Sequence, residues 1–242
     1  VAAVESERRT SDRDRQLALA FPLRARARFE DLEPGTLEEA VAALRALESG
    51  AGRFRACLLW GAGATGKTHL LQAACQSAAA RGGRAIYLPL GAADLHPEAL
   101  EGLEQCDLVA LDDLQQWLGD PERERALLGL YQGLAAAGGA LAVTVDRPPA
   151  ALVFNYADLA SRLRALPGYA LPPLADEAKR SVLQRLGAER GLVLPPAVFD
   201  YWFARGPRDL ATLLVQLDAL DAAAWAEQRR ITVPLLKAVL GL

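Results

Sequence analysis

Eight consecutive residues, Gly61-Ala62-Gly63-Ala64-Thr65-Gly66-Lys67-Thr68, match the pattern G-x-x-x-x-G-K-[ST] at every fixed position. Holding a phosphate chain asks for these residue types. Glycines at 61, 63 and 66 let backbone amides turn inward around phosphate oxygens with no Cβ in the way. Lys67 can set an ammonium on the β- and γ-phosphates, and the Thr68 hydroxyl can ligate Mg²⁺. A helical run beginning Thr68-His69-Leu70-Leu71-Gln72 adds partial positive charge at its N-terminus. A second constellation, Asp112-Asp113, closes the apolar run Leu108-Val109-Ala110-Leu111. A buried strand ending this way delivers two carboxylates to the carboxyl edge of a sheet, where ligands of open α/β folds bind. There Asp112 would hold the magnesium through its water shell, and Asp113 would orient or deprotonate an attacking water. Acids also end strands for structural reasons; the phosphate loop is what favours the chemical reading.

These groups need a sheet to position them. Four apolar runs of strand length, Ala56–Trp60, Arg84–Leu90, Asp107–Leu111 and Ala140–Val145, each separated by a helical stretch, and a weaker fifth at Tyr169–Leu171, predict a mainly parallel sheet covered on both faces. Before them, Pro34-Gly35 supplies a turn, Thr36 and Glu39 form a capping box, and Leu37, Val41, Leu44 and Leu47 recur at helical spacing until Ser49-Gly50. After Pro172-Pro173 the strand signal vanishes. Asp176–Arg190, Pro196–Ala204, Asp209–Gln228 and Val233–Leu240 read as helices, the third with Leu210, Leu213, Leu214, Leu217 and Leu220 along one side. The expected organisation is a tail over residues 1–22, an α/β domain over 23–173 and a small all-helical domain over 174–242.

Bulk properties narrow the function. At 242 residues and 52% hydrophobic, the chain can bury a substantial core. Cys57, Cys75 and Cys106 form no C-x-x-C pair and fall in apolar runs, which suits buried thiols in a reducing, cytoplasmic setting. No apolar run reaches the roughly 18 residues that span a bilayer, so no membrane association is expected. A net charge of −3 argues against direct, specific nucleic-acid binding. His69 and His96 lack metal spacing.

Taken together, Gly61–Thr68 followed by His69-Leu70-Leu71-Gln72-Ala73, then Leu111-Asp112-Asp113, Val143-Thr144-Val145-Asp146-Arg147-Pro148-Pro149 and Asp158-Leu159-Ala160-Ser161-Arg162-Leu163, resemble the DnaA family of bacterial AAA+ initiators. The resemblance runs from about Gln16 to Leu242. It implies an AAA+ P-loop NTPase: an α/β fold with a mainly parallel five-stranded sheet, plus a small all-helical lid domain. Within the family, the likeness favours the regulatory inactivators of DnaA. No helix-turn-helix pattern follows the helical region, and Gln16-Leu17-Ala18-Leu19-Ala20-Phe21 resembles the hexapeptide with which such inactivators bind the β sliding clamp of DNA polymerase III. In extended form Leu17, Leu19 and Phe21 share one side, suited to an apolar groove, with Gln16 hydrogen-bonding at its edge. Ala18 and Ala20 replace a small polar or acidic residue and a proline common in the family, which implies a less pre-organised peptide; an arm packing on its own domain is the other reading.

The resemblance further implies a protein that binds ADP or ATP with Mg²⁺ and stimulates DnaA to hydrolyse its ATP. Asp146 falls where the family has its sensor-1 residue, and Arg162 where it has an arginine finger for a neighbour's nucleotide. Arg208 falls where the lid supplies sensor 2. A solvated helical arginine and a lid salt bridge are the plainer readings of Arg162 and Arg208. Asp113 is shorter than the glutamate usual in such ATPases, and the intact loop keeps a slow intrinsic turnover open. The adenine is expected near Phe29–Leu32 and Pro34-Gly35, with no single contact residue assigned. Self-association into a homodimer is left open. The rival reading is an ATP-dependent helicase loader or initiator-like ATPase; a small-molecule kinase lacks any marked acceptor pocket.

Overall fold

The computed structural model describes residues 27–31, 37–48, 52–227 and 230–242. The peptide Gln16–Phe21 and the tail before it, Leu32, the turn Pro34-Gly35, the cap Thr36, the stop Ser49-Gly50, and Gln228 lie outside the described residues. Two compact units are present, one of Val1–Gly61 with Gly66–Leu171, the other of Ala62–Thr65 with Pro172–Leu242.

Among the described residues, the first unit is built on a five-stranded sheet in the order β2-β3-β4-β1-β5, every neighbouring pair parallel. The strands are β1 (Arg55–Trp60), β2 (Ala85–Pro89), β3 (Leu108–Asp112), β4 (Ala140–Val145) and β5 (Gly168–Ala170). The fifth strand starts one residue before its expected position, and Leu171 N–H continues the ladder to Trp60 O at 2.7 Å. Helices α1 (Glu38–Glu48), α2 (Lys67–Ala80), α3 (Pro121–Ala137) and α4 (Ala157–Arg164) accompany the sheet. One expectation is corrected. The link between β2 and β3 holds no α-helix, only two single-turn 3-10 segments, Pro97–Leu100 and Leu103–Gln105. Pro97 and the left-handed Gly102 (φ 79°) punctuate a stretch too short for a longer helix.

Strand alternation sorts the core into two layers. Leu58, Ile86, Leu88, Val109, Leu111, Leu141 and Val143 face one layer with Leu127, Leu130 and Leu134 of α3 and Leu159 and Leu163 of α4. Cys57, Leu59, Tyr87, Leu108, Ala110, Ala140 and Ala142 face the other, with α1 and with Leu70, Leu71, Ala74 and Cys75 of α2. The α2 layer of the sheet is lined largely by small residues. All three cysteines are buried and free, and burial pushes the Cys57 and Cys75 thiols up to about 12.

The second unit carries α5 (Asp176–Glu189), α6 (Pro196–Arg205), α7 (Leu210–Glu227) and α8 (Val233–Leu240). Leu183, Val198, Phe199, Trp202, Leu213, Leu217, Leu220 and Leu236 form its own core. Trp202 can be buried because its indole N–H donates to Gln216 Oε1 at 2.6 Å. No helix among the described residues is long and apolar enough to cross a membrane.

Gly138 ends α3 in the left-handed region (φ 75°), its N–H returning to Leu134 O. A Cβ there would lie 2.6 Å from the Gly52 carbonyl carbon. Gly138→Ala is therefore expected to lower unfolding free energy by about 1–3 kcal/mol, read as a lower urea midpoint with unchanged slope; an unshifted midpoint refutes the close approach.

Candidate functional site

The alternation that lines the α2 layer with small residues also aims polar ones. Counting by two from Leu108 and Ala110 reaches Asp112, and from Ala140 and Ala142 reaches Thr144; Tyr87 of β2 faces the same side. These side chains come out at the carboxyl edge of the sheet on the side of α2, whose first residues are Lys67 and Thr68. Asp112 is 2% exposed, and its carboxylate accepts from Thr68 Oγ1 at 2.6 Å, from Tyr87 Oη at 2.8 Å and from Thr144 Oγ1. Burial, with the adjacent Asp112 charge, pushes the Tyr87 phenol far above its ordinary value.

Gly66 stands before α2 at φ 96°, a left-handed conformation, and no side chain caps the helix. Lys67 is 7% exposed and donates from Nζ to Gly61 O at 2.7 Å. Burial pushes its ammonium below the ordinary lysine value, while the charges of Asp113, Asp112 and Asp146 oppose the shift. Ala62–Thr65, the middle of the motif, group with the second unit; Thr65 Oγ1 donates to Ala62 O at 3.1 Å, and Ala64 has a left-handed φ of 57°. Gly63 has open space around a notional Cβ.

Asp113 follows in the left-handed region (φ 56°), one of two non-glycine residues so placed among those described. Its N–H donates to Thr144 Oγ1 at 2.9 Å. Its carboxylate accepts from Gln115 Nε2 at 3.0 Å, and Gln115 Oε1 in turn accepts the Asp146 N–H at 3.2 Å. Gln115 thus ties the second aspartate to the loop after β4. Asp146 is held by Arg147 through two contacts of 2.7 Å, and this pairing takes its carboxyl below the usual range. An ionised carboxylate only accepts, so Asp146 can meet a phosphate only through an intervening donor or cation, such as water or Arg147.

Oxygen donors suit a magnesium ion, and the Thr68 hydroxyl and Asp112 carboxylate are already within hydrogen-bond distance of each other. No cluster of three or more His, Cys, Asp or Glu that could hold a metal occurs among the described residues, so phosphate oxygens and water would complete any coordination here.

Arg162 sits on α4 with its side chain 36% exposed, paired to Asp158 at 2.9 Å and lying 5.4 Å over the Tyr131 ring. Arg208 pairs with Asp176 at 2.6 Å within the second unit, where Lys179 also reaches Asp176. Residue patterns pointed to Lys67, Thr68, Asp112 and Asp113, which the fold gathers at one edge. Tyr87, Thr144, Gln115 and Glu124 were missed. Thr144 had a signal, a hydroxyl in an otherwise apolar strand. Gln115 had none.

Sheet order, a glycine-rich loop between β1 and α2 that leads into Lys67 and Thr68, paired acids closing β3 and a separate helical unit define an AAA+ P-loop fold. Residues 176–240 match the family described as "Hda, lid domain". Domain III of the Thermotoga maritima replication initiation protein DnaA superposes with a TM-score of 0.76 at 20% identity, over 91% of this chain and 98% of that one. AMPPCP-bound DnaA from Aquifex aeolicus gives 0.65 at 20% identity, over 84% and 68%. The Thermotoga maritima RuvB Holliday junction branch migration motor gives 0.66 at 12% identity, over 89% and 72%. The chain thus has the AAA+ fold, and its helical region, residues 176–240, is similar to the lid domain of the Hda family.

Thr144→Val leaves Asp112 without one of its three hydroxyl donors and the Asp113 amide without its acceptor. It is expected to cost about 1–3 kcal/mol of stability, measured by chemical denaturation; a neutral substitution removes Thr144 from the network.

Proposed function

We propose that this chain is a regulatory inactivator of DnaA. It binds adenine nucleotide, ADP in its working state, with Mg²⁺ at Gly61–Thr68 and Asp112, docks on the polymerase III β sliding clamp through Gln16, Leu17, Leu19 and Phe21, and stimulates hydrolysis of the ATP held by DnaA. The initiator is thereby turned off and re-initiation prevented. The observation that carries this reading is an Hda-type lid on a DnaA-like core. The Aquifex aeolicus relative was solved with AMPPCP, which supports an adenine nucleotide.

The chemistry asks little of the chain's own turnover. Phosphoryl transfer is accelerated by positioning and charge stabilisation, and an arginine supplied by a neighbour contributes roughly 10³–10⁵ in rate where it has been studied. Arg162 has a planar guanidinium, partly exposed and held by one exposed carboxylate and one ring, which suits delivery to a partner's phosphates. Asp113 and Asp146 serve the chain's own nucleotide, with an intrinsic hydrolysis that is slow. Arg208 couples the helical domain to nucleotide state.

Two measurements test this. In a reconstitution of ATP-bound DnaA, clamp loaded on DNA and this protein, Arg162→Ala is expected to lose at least about 100-fold of the stimulated hydrolysis while still binding ADP. Unchanged stimulation removes the finger. Separately, immobilised clamp should capture the wild-type chain and fail to capture the Gln16→Ala/Phe21→Ala variant; ATP-dependent assembly that grips single-stranded DNA, with no clamp capture, points to a loader instead.

A further inference from the structure

Glu124 is an acid in the wrong place for an ordinary helix surface. It lies in the first turn of α3 on the stripe that continues through Leu127, Leu130 and Leu134, and it is fully buried. A carboxylate withdrawn from water costs several kcal/mol unless its oxygens are satisfied. Here they are satisfied almost wholly by backbone. Oε1 accepts the Gly119 N–H at 2.8 Å and the Asn155 N–H at 3.0 Å; Oε2 accepts the Asn155 N–H at 2.8 Å and the Tyr156 N–H at 2.9 Å. Asn155 Nδ2 adds a longer contact of 3.4 Å.

Asn155 and Tyr156 are the two residues that lead into α4, and Tyr156 is its N-cap, extended and with no side-chain cap of its own. The helix has eight residues, too few to hold its direction by its own hydrogen bonds. Leu159, Ala160 and Leu163 seat one side of it in the core, which fixes its depth. What fixes its start is the Glu124 carboxylate, reaching across from α3.

We propose that Glu124 is a positioning residue for Arg162: by clamping the amides that precede α4 it sets the direction in which that helix presents the guanidinium. The inference rests on the reading of Arg162 as a group that acts on a partner's nucleotide. Arg162 lies five residues into α4, about 7.5 Å along the axis, so a tilt of about 10° at the start carries its Cα by more than 1 Å. Displacements of about 1 Å can cost about 100-fold in rate when a group must meet a transition state. Tyr131, also on α3, lies under the Arg162 guanidinium, so α3 holds both the base of α4 and the side chain it displays.

The test is Glu124→Gln, which keeps shape but turns an amide N–H toward backbone donors, compared with Arg162→Ala in the reconstituted assay. Expected for Glu124→Gln are ADP binding unchanged, a stimulated rate at saturation reduced at least about tenfold, and a half-saturating concentration altered less than twofold. Amide hydrogen exchange at Asn155 and Tyr156 should accelerate at least about tenfold with the sheet amides unchanged. A purely structural role would instead lower stability and speed exchange throughout the unit while leaving saturating stimulation intact. Should Glu124→Gln not fold, Glu124→Asp replaces it, keeping the charge but one methylene short of both loops. A folded variant with full stimulation, alongside an inactive Arg162→Ala, overturns the proposal alone; full stimulation by Arg162→Ala overturns the finger reading, and unaccelerated exchange at Asn155 and Tyr156 then overturns the clamp as well.

Discussion

A carboxylate buried at the carboxyl edge of the sheet, Asp112, ties the first unit together. Three hydroxyls satisfy it, and each comes from a different element: Thr68 from α2, Tyr87 from β2 and Thr144 from β4. Withdrawing an ionised carboxylate from water is tolerated only when its lone pairs are filled, so the register of three strands and the placement of one helix must agree at this atom group. A slip of β3 by one residue would send Asp112 to the opposite layer, among Leu88, Leu127 and Leu141, where only hydrocarbon awaits it. The same slip would bring the wrong residues against α2, whose approach depends on Ala110, Ala140 and Ala142. Fold and site are specified by one alternation.

That arrangement sets the electrostatics of the edge. Lys67 brings one ammonium, and the charges of Asp113, Asp112 and Asp146 all act on it. Arg147 offsets Asp146. The balance without a ligand is already negative, so a polyphosphate entering it meets repulsion that helix amides and one lysine do not cancel. A divalent cation held by the Thr68 hydroxyl and the Asp112 carboxylate would supply the missing positive charge. Under the proposed function, nucleotide and magnesium affinities are therefore strongly linked.

Much of this could be read from the residues alone, and what could not has identifiable physical causes. The four main strands and the helices of the second unit were legible because burial on one or both sides writes a period into the chain. The loop between β1 and α2 was legible because its glycines and the lysine at fixed spacing interrupt the apolar strand and open the next helix. The β2–β3 connection was misread because apolar residues such as Leu95, Leu100 and Leu103 are buried there with no α-helix to carry them. Gln115 was invisible because its function depends on a left-handed residue two positions earlier, and an aspartate gives no notice of adopting φ 56°. Glu124 was hidden by its neighbours: Glu122 and Arg123 make the segment look like an ordinary charged first turn.

Under the proposed function, the exposure and pairing of Arg162 and Arg208 are compatible with the roles given them. Each is held by a carboxylate one helical turn away or on a nearby helix of the same unit, Asp158 for one and Asp176 for the other. Exposed ion pairs of this kind contribute little to stability, because water screens them and two long side chains lose freedom to form them. The weakness is useful. A phosphate offers more charge and a geometry that a guanidinium matches with two parallel hydrogen bonds, so under that reading an exchange of aspartate for phosphate would proceed without disturbing the core. Meanwhile the pairing and, for Arg162, the Tyr131 ring keep the guanidinium near one orientation, which shortens the search when a phosphate arrives. The restraint has to be strong at the backbone and weak at the side chain. Glu124 provides the first, fully buried and fully bonded, and Asp158 the second.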